Sequence, residues 1–353
     1  MSNQHSALAP RIDSLVLRAW GERVRVVSTS PFAGDASSRS YLRITLDGRT
    51  PATAVIMIQS GSGLSISSDE LAVFTDPMPE IPFLNVQRYL RSAGVAVPEV
   101  YAADPDLVLL EDVGDVMLWD AVRGVHAEGV LKSYGAAIDE LVRLQRAGEE
   151  HPDPACIAFK QRFDARLFQW EFEHFLEFGF TGRSVSKEDV ATLRREFETL
   201  SIGLAAMPLT LAHRDYHSWN LFVQDGRIRV IDFQDALLAP VAYDLATLLN
   251  DRATPSVVTP ALERKLVAYF VERRSESGEA PGLEAFLPAY YRFLLQKSLK
   301  IVGRFHYLEQ VKGRRGYVAM LPDTLATLRR CLDHLPDLGS VRKALSRSFP
   351  ELS

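Results

Sequence analysis

Three side chains that can accept protons or bind cations lie close together in the middle of the chain. Asp215 directly follows His213 and Arg214, Asn220 comes five residues later, and Asp232 ends a short apolar run. Phosphoryl transfer uses such a set, because one carboxylate accepts the proton of the attacking hydroxyl while a carboxylate and an amide oxygen hold Mg²⁺. We therefore interpret Asp215 as a candidate catalytic base, and Asn220 and Asp232 as candidate metal ligands.

A predicted β-hairpin supports this grouping. Asp225-Gly226 is a tight-turn signal between two apolar runs. A two-residue turn pairs Asn220 with Ile231 and leaves Asp232 one position along, close enough for one ion to bridge the two ligands. The alternative is a polar loop in which Asp and Asn only form turns. The spacing HRDxxxxN, followed by a hairpin and an Asp after an apolar strand, favours kinase chemistry.

The surrounding elements change character along the chain. Strand-like runs at 23–28, 40–46, 52–58, 97–100 and 107–110, with one helix at 82–93, predict a five-stranded sheet. Helical patterns then fill most of the remaining chain, at 116–147, 160–180, 186–206, 260–275, 283–311 and 323–334. We expect a β-rich region at 1–110, an acidic hinge at 111–115 and a helical region at 116–353 that carries the catalytic loop.

Composition excludes several classes of protein. The 353 residues have a net charge of −5 and are 47% hydrophobic, which suits a globular protein and not a general nucleic-acid binder. Neither a signal peptide nor a membrane-spanning run is evident, so we expect a cytoplasmic protein without a membrane partner. The two cysteines, Cys156 and Cys331, lack the spacing of a zinc site and are expected to be buried or half-buried thiols. The oligomeric state is not determined by the sequence.

The motifs around these residues resemble those of a known family. LAHRDYHSWNL at 211–221 and RVIDFQDALLAP at 229–240, with LVLLEDVG at 107–114, are similar to the aminoglycoside phosphotransferase family. The likeness is greatest to its branch of bacterial anomeric kinases for N-acetylmuramate and N-acetylglucosamine, which act in peptidoglycan recycling. It implies an α+β, protein-kinase-like bilobed fold with a small β-rich N-lobe and a large helical C-lobe. It also implies ATP and Mg²⁺ as cofactors and an amino sugar as substrate.

The resemblance also assigns roles to further residues. It implies a loop over the ATP phosphates at Gly34, Ser37 and Ser38, adenine binding by the hinge backbone at Glu111 and Val113, and support of the catalytic loop by His213 and Asp244. One feature departs from the kinase pattern, because Met57 occupies the position of the lysine on the third strand. Arg39 and Arg43 flank the phosphate loop and are the candidates to replace that lysine; otherwise the protein is an inactive pseudokinase.

Substrate residues are expected in the helical region. The helix near 166–175 resembles the family's substrate-side helix, so Trp170, Glu171 and Glu173 are candidates, together with Gln234 and Asp235 beside the metal ligand. The alternative, which the pattern of the helix favours, is plain core packing. Three basic residues at helical spacing form either a solvated face or a site for an acidic substrate: Lys297, Lys300 and Arg304. Aminoglycosides, choline and homoserine are the alternative substrates.

Overall fold

The chain folds into two compact units. The computed structural model describes residues 2–32, 39–59, 80–251, 254–276 and 281–353, with side chains from residue 8 onward. Met1–Val116 and Phe222–Asp235 make up the first unit, and Met117–Leu221 and Ala236–Ser353 make up the second. The segment Phe222–Asp235, which the sequence analysis grouped with the helical region, is therefore part of the β-rich unit.

The first unit contains the predicted five-stranded sheet. The strands have the order β1-β2-β3-β5-β4, and each neighbouring pair is antiparallel. Its elements are α1 (Ser2–Trp20), β1 (Arg25–Pro31), β2 (Arg39–Asp47), β3 (Thr53–Gln59), α2 (Pro82–Ser92), β4 (Val100–Ala103) and β5 (Leu107–Leu110). The first helix, which the sequence analysis leaves out, contains Pro10.

The two faces of the sheet differ because side chains alternate along each strand. Leu42, Ile44 and Leu46 of β2 are buried and pack with α1 in one apolar core. The odd-numbered positions of β2, among them Arg39, Tyr41 and Arg43, therefore lie on the opposite face of the strand. This opposite face carries the polar and charged groups considered below.

A hairpin later in the chain also belongs to the first unit. It consists of β7 (Leu221–Gln224) and β8 (Arg227–Val230), after the short strand β6 (Leu209–Ala212). Asp225 and Gly226 both have positive φ, 50° and 75°, as the tight turn of a two-residue hairpin requires. The backbone N–H of Val230 donates to the carbonyl of Ala96 at 2.9 Å, so the hairpin is hydrogen-bonded to its own unit.

The second unit is largely helical. Strand β6 pairs with β9 (Leu237–Pro240) and not with the hairpin, a pairing that we did not predict. The predicted helix 116–147 is interrupted near Gly124, whose φ of 73° does not fit a helix. The helices are α3 (Leu118–Val122), α4 (Ala127–Glu150), α5 (Ala165–Phe178), α6 (Lys187–Ala205), α7 (Tyr243–Asn250), α8 (Pro260–Ser275), α9 (Leu283–Gln310), α10 (Leu321–His334) and α11 (Gly339–Ser348).

Aromatic side chains fill the core between α5, α6 and α9. Phe172 stacks on Phe197 at a ring-centroid distance of 4.3 Å, and Phe168 contacts Phe293 at 5.8 Å. Both cysteines are buried and free, as predicted. In the part of the chain that the structure describes, no helix is long and apolar enough to cross a membrane.

Candidate functional site

The loop that carries Asp215 is held by a buried carboxylate. Asp244, in the first turn of α7, accepts hydrogen bonds from the backbone N–H groups of His213, at 2.6 Å, and Arg214, at 3.0 Å. Burial raises the pKa of Asp244, and the charge of His213 with the two N–H groups offsets this in part. Arg214 has a φ of 80°, a conformation that costs about 1–2 kcal/mol in an L-residue. The two hydrogen bonds therefore stabilise a strained backbone next to Asp215.

A second contact fixes the other side of Asp215. The hydroxyl of Tyr216, which is fully buried, donates to the carbonyl of Ala137 on α4 at 2.8 Å. His213 is also fully buried, and its ring meets the Tyr216 ring edge-on at 5.6 Å. The residues on either side of Asp215 are thus anchored in the helical core, while Asp215 itself remains exposed.

Positive neighbours control the ionisation of Asp215. Surrounding protein atoms remove part of its hydration and raise the pKa, but the charges of His217, Arg214 and Lys297 lower it by more. The net pKa of Asp215 lies below its ordinary value. At neutral pH the residue is a carboxylate, the form in which it can accept a proton.

Asn220 is oriented by the same loop. Its side-chain N–H donates to the carbonyl of Asp215 at 3.0 Å, and its backbone N–H donates to the carbonyl of His217 at 2.9 Å. Since the amide nitrogen is engaged, Oδ1 is the atom of Asn220 that can bind a cation. Next to it, Trp219 stacks on Trp119 of α3 at 5.6 Å.

Asp232 lies in the first unit, two residues beyond the end of β8, with a φ of 63° and a side chain that is 44% exposed. Its Oδ1 accepts from Nε2 of Gln234 at 3.0 Å and from Nη1 of Arg39 at 3.4 Å. No residue in the described part of the chain donates to Oδ2. One oxygen is therefore anchored, and the other is the natural ligand for a cation.

The oxygens of Asp232 and Asn220 suit a hard divalent cation such as Mg²⁺, which is typically held by one or two carboxylates together with phosphate and water. Within the described ranges, no cluster of three or more His, Cys, Asp or Glu side chains forms a self-contained metal site. Because Asn220 and Asp232 belong to different units, their predicted proximity stays a prediction.

The segment after β5 leaves two backbone groups for a ligand. The N–H of Glu111 donates to the carbonyl of Glu99, and the Glu111 carboxylate accepts from the N–H of Glu99 and from Arg229. Among the described residues, neither the carbonyl of Glu111 nor the N–H of Val113 makes a backbone hydrogen bond. These are the two groups through which the predicted hinge would bind adenine.

The residues predicted to bind the phosphates of ATP have different surroundings. Gly34, Ser37 and Ser38 lie outside the described residues. Arg43 contacts two carboxylates of its own unit, Asp112 at 2.8 Å and Asp115 at 2.7 Å. Arg39 contacts Asp232 instead.

The candidate substrate residues are largely engaged with protein groups. Glu171 is buried and accepts from Gln296 and Lys300. Glu173 faces α6, where it binds Arg194 through two hydrogen bonds of 2.9 Å. Trp170 is half-buried and stacks on His174 at 5.9 Å.

Gln234 and Asp235 lie beside the metal candidate in the first unit. Gln234 is buried, and the same Nε2 that binds Asp232 also donates to Oδ2 of Asp235 at 2.9 Å. Gln234 therefore links the two carboxylates, a role that sequence reasoning missed because nothing in the motif indicates where its amide points.

The basic residues of α9 face inward at two of the three positions. Lys297 donates to the hydroxyl of Thr247 at 2.6 Å and lies 5.8 Å from the ring of Tyr243. Burial lowers the pKa of Lys297, and Asp251 and Asp215 oppose this lowering. Lys300 pairs with Glu171. Lys297 is therefore part of the electrostatic surroundings of Asp215 and not of a solvated face.

Comparisons with known proteins bear on the family of this chain. A family model described as "Phosphotransferase enzyme family" (APH) matches residues 28–281. The N-acetylmuramate/N-acetylglucosamine kinase of Neisseria meningitidis is 31% identical over 309 residues, which are 84% of this chain and 84% of that protein. The protein of the same name from Pseudomonas putida is 28% identical over 93% of this chain and 90% of its own.

A solved structure shows the same fold at low sequence identity. The amicoumacin kinase hAmiN, in complex with AMP-PNP, Ca²⁺ and Ami, aligns with a TM-score of 0.56 over 97% of both chains at 16% identity. This likeness confirms the predicted α+β, protein-kinase-like fold class.

Proposed function

We propose, since this chain belongs to the phosphotransferase enzyme family, that it transfers the terminal phosphate of ATP to the anomeric hydroxyl of N-acetylmuramate, N-acetylglucosamine or both. One observation carries the proposal: two relatives with these substrates in their names align over 93% and 84% of this chain. The product would be a sugar 1-phosphate, as expected for an enzyme of peptidoglycan recycling.

The proposed chemistry gives each loop residue one task. Asp215, kept ionised by its positive neighbours, accepts the proton of the attacking hydroxyl. Oδ2 of Asp232 and Oδ1 of Asn220 are the proposed ligands of Mg²⁺, which, when bound, neutralises charge on the phosphates. Asp244 acts as a positioning residue, because it holds the backbone just before Asp215.

The nucleotide would be held by the first unit. The Glu111 carbonyl can accept from the adenine amino group, and the Val113 N–H can donate to a ring nitrogen. Both backbone groups lack a partner among the described residues, which supports this assignment. The predicted phosphate loop at Gly34, Ser37 and Ser38 completes the proposed nucleotide site.

The acceptor would be held by the helical unit. Burial lowers the pKa of Lys297, and the neighbouring Asp251 and Asp215 oppose this lowering. The positive charges of Lys297 and Arg214 beside Asp215 favour a neutral or anionic sugar over a polycationic antibiotic. Glu171 and Glu173 are already bound by basic side chains, so we assign hydroxyl recognition to Trp170 and its surroundings.

A substrate panel tests the proposal. ATP-dependent release of ADP is measured with both amino sugars, and with kanamycin, choline and homoserine. We expect turnover with at least one amino sugar and none with the other three. Turnover of kanamycin, choline or homoserine alone would reject the amino-sugar assignment. Binding of Mg·ATP without ADP release in the presence of any of these acceptors would indicate a nucleotide-binding protein without kinase activity.

A further inference from the structure

We infer, on the premise of the proposed ATP-dependent function, that Gln234 is a positioning residue for the carboxylate that binds the metal. Its amide holds one oxygen of Asp232 and leaves the other oxygen for the cation. Gln234 therefore serves metal binding, and not the recognition of sugar hydroxyls that the sequence suggests for it.

The side-chain amide of Gln234 uses both of its donors on carboxylates. Nε2 donates to Oδ1 of Asp232 at 3.0 Å and to Oδ2 of Asp235 at 2.9 Å. A primary amide nitrogen carries two hydrogen atoms, so none is left for a sugar hydroxyl. Gln234 is also only 4% exposed. Its place is therefore beneath the two carboxylates, where it can orient them.

The orientation of this amide follows from its neighbours. If nitrogen and oxygen were exchanged, Oε1 would face two carboxylate oxygens, which are also acceptors, and both contacts would be repulsive. In the observed orientation, Oε1 is buried and accepts no hydrogen bond from the residues that the structure describes. A buried acceptor without a partner destabilises a folded protein. The carboxylates that the amide holds explain a glutamine here better than folding stability does.

The backbone of Asp232 is fixed as well. Its φ of 63° is uncommon for an L-residue, and such conformations concentrate at functional sites. The next residue, Phe233, is fully buried and packs on Phe83 of α2 with ring centroids 4.9 Å apart. Because Phe233 anchors the backbone and Gln234 anchors Oδ1, the other oxygen of Asp232 is presented in a defined direction.

Protein kinases have a glycine at the corresponding position. Their metal-binding aspartate begins the motif DFG, in which the glycine has no side chain that could hold the aspartate. In this chain, residues 232–234 read DFQ. Partners that hydrogen-bond to a metal ligand orient it, and their loss typically lowers metal affinity or activity by about 10–100-fold. The glutamine therefore adds an orienting contact that a glycine cannot supply.

Calorimetric titration of AMP-PNP, once with Mg²⁺ and once with EDTA, measures the gain in nucleotide affinity that the metal provides. Gln234→Met keeps the length of the side chain and removes the amide. We expect it to reduce the gain by about tenfold or more, and to leave the affinity in EDTA within about threefold of wild type.

Gln87→Met is the matched control. Gln87 is another buried glutamine of the first unit, and its Nε2 donates to the carbonyl of Pro98 at 2.8 Å. The same substitution at this position removes a buried amide that holds no carboxylate, so the gain from Mg²⁺ should stay at the wild-type value.

A double-mutant cycle separates positioning from a general structural effect. Asp232→Ala removes the proposed ligand and should abolish most of the gain from Mg²⁺. If Gln234 acts through Asp232, Gln234→Met should have no further effect in the Asp232→Ala background. Excess Mg²⁺ should also restore part of the kcat that Gln234→Met loses at low Mg²⁺, because Asp232 is still present in that variant.

Three results would overturn the inference. These are a gain from Mg²⁺ in Gln234→Met within about threefold of wild type, an equal loss of affinity with Mg²⁺ and with EDTA, or effects of Gln234→Met and Asp232→Ala that simply add. If Gln234→Met does not fold, Gln234→Ala is titrated in the same way and decides. The titration needs no acceptor, so it stays decisive even if neither amino sugar is phosphorylated, a result that would reject the proposed function alone.

Discussion

At the scale of single residues, the catalytic loop combines strain with support. Arg214, whose backbone is left-handed, immediately precedes Asp215. The carboxylate of Asp244 accepts hydrogen bonds from the backbone N–H groups of His213 and Arg214. Strained backbone of this kind persists only where the surroundings over-determine it, and it concentrates at functional sites. The geometry therefore favours Asp215 as the group that the loop is built to present.

Replacement of Asp215 should abolish turnover without abolishing nucleotide binding. Asp215→Asn keeps the shape of the side chain but removes the proton acceptor, whose contribution is typically about 10²–10⁴-fold in rate. We expect kcat to fall by that factor, while Mg·ATP affinity in calorimetry stays near the wild-type value. A kcat close to wild type would exclude Asp215 as the base.

The sequence indicates which residues are candidates for the chemistry, but not which side chains they contact. HRDxxxxN and the later Asp specify residue types at fixed spacings, because chemistry constrains both. The same pattern contains no information on whether Glu171 and Glu173 are already bound by Lys300 and Arg194. Those contacts depend on helix packing between distant segments, which spacing along one helix does not determine.

At the scale of elements, Arg43 of β2 braces the segment after β5. Burial raises the pKa of Asp112, but hydrogen bonds from Arg43 and the Gly114 N–H, with the Arg43 charge, lower it by more. A carboxyl group whose folded pKa is lowered stabilises the protein above its unfolded pKa, and this stabilisation is lost as pH falls through the folded value. The brace should therefore weaken in acid.

The loss of folding stability in Arg43→Met should consequently be largest at neutral pH. We expect a loss of about 1–3 kcal/mol in the free energy of unfolding at pH 7, measured by urea denaturation. The difference from wild type should shrink as pH falls from about 5 to 3. Arg25→Met, at an exposed position of β1, is the control and should change the free energy of unfolding little at neutral or acid pH. A loss in Arg43→Met that does not change with pH would contradict the pairing with Asp112.

A glycine allows α4 to pack against the strand that leads into the catalytic loop. A Cβ at Gly148 would lie 2.4 Å from Cβ of Leu211 on β6, so Gly148→Ala should push the two elements apart and destabilise the protein by about 1–3 kcal/mol. Because β6 leads into the loop, kcat should fall as well. Gly203→Ala, at an exposed position of α6 with nothing within 4 Å, should instead stabilise the protein by about 0.5–1 kcal/mol. Equal thermal stability of the two variants would contradict this account.

Element prediction failed where a single residue or a distant pairing decided the outcome. Gly124 interrupts one long amphipathic pattern through its positive φ, which periodicity does not report. The strand β9 went unpredicted because its partner is β6, 25 residues or more away in sequence. By contrast, four of the five strands of the first sheet lie where they were predicted, since alternation and turn residues are local signals. The exception is β4, which runs over Val100–Ala103 and overlaps the predicted 97–100 at a single residue.

At the scale of the whole molecule, the candidate catalytic base and the two candidate metal ligands are distributed over both units. Asp215 and Asn220 belong to the second unit, and the chain returns to the first unit before it reaches Asp232. The family match spans 28–281 and so includes all three residues. The mildly acidic composition, with a net charge of −5, does not by itself favour any of the small substrates considered.

The most direct test is to incubate the protein with Mg·ATP and each amino sugar and to identify the product by phosphorus NMR. The account predicts ADP together with a sugar 1-phosphate, whose phosphorus is coupled to the anomeric proton, and no such product from the Asp215→Asn variant. A 6-phosphate, or no phosphorylated sugar from either substrate under conditions in which the protein binds Mg·ATP, would contradict the central claim.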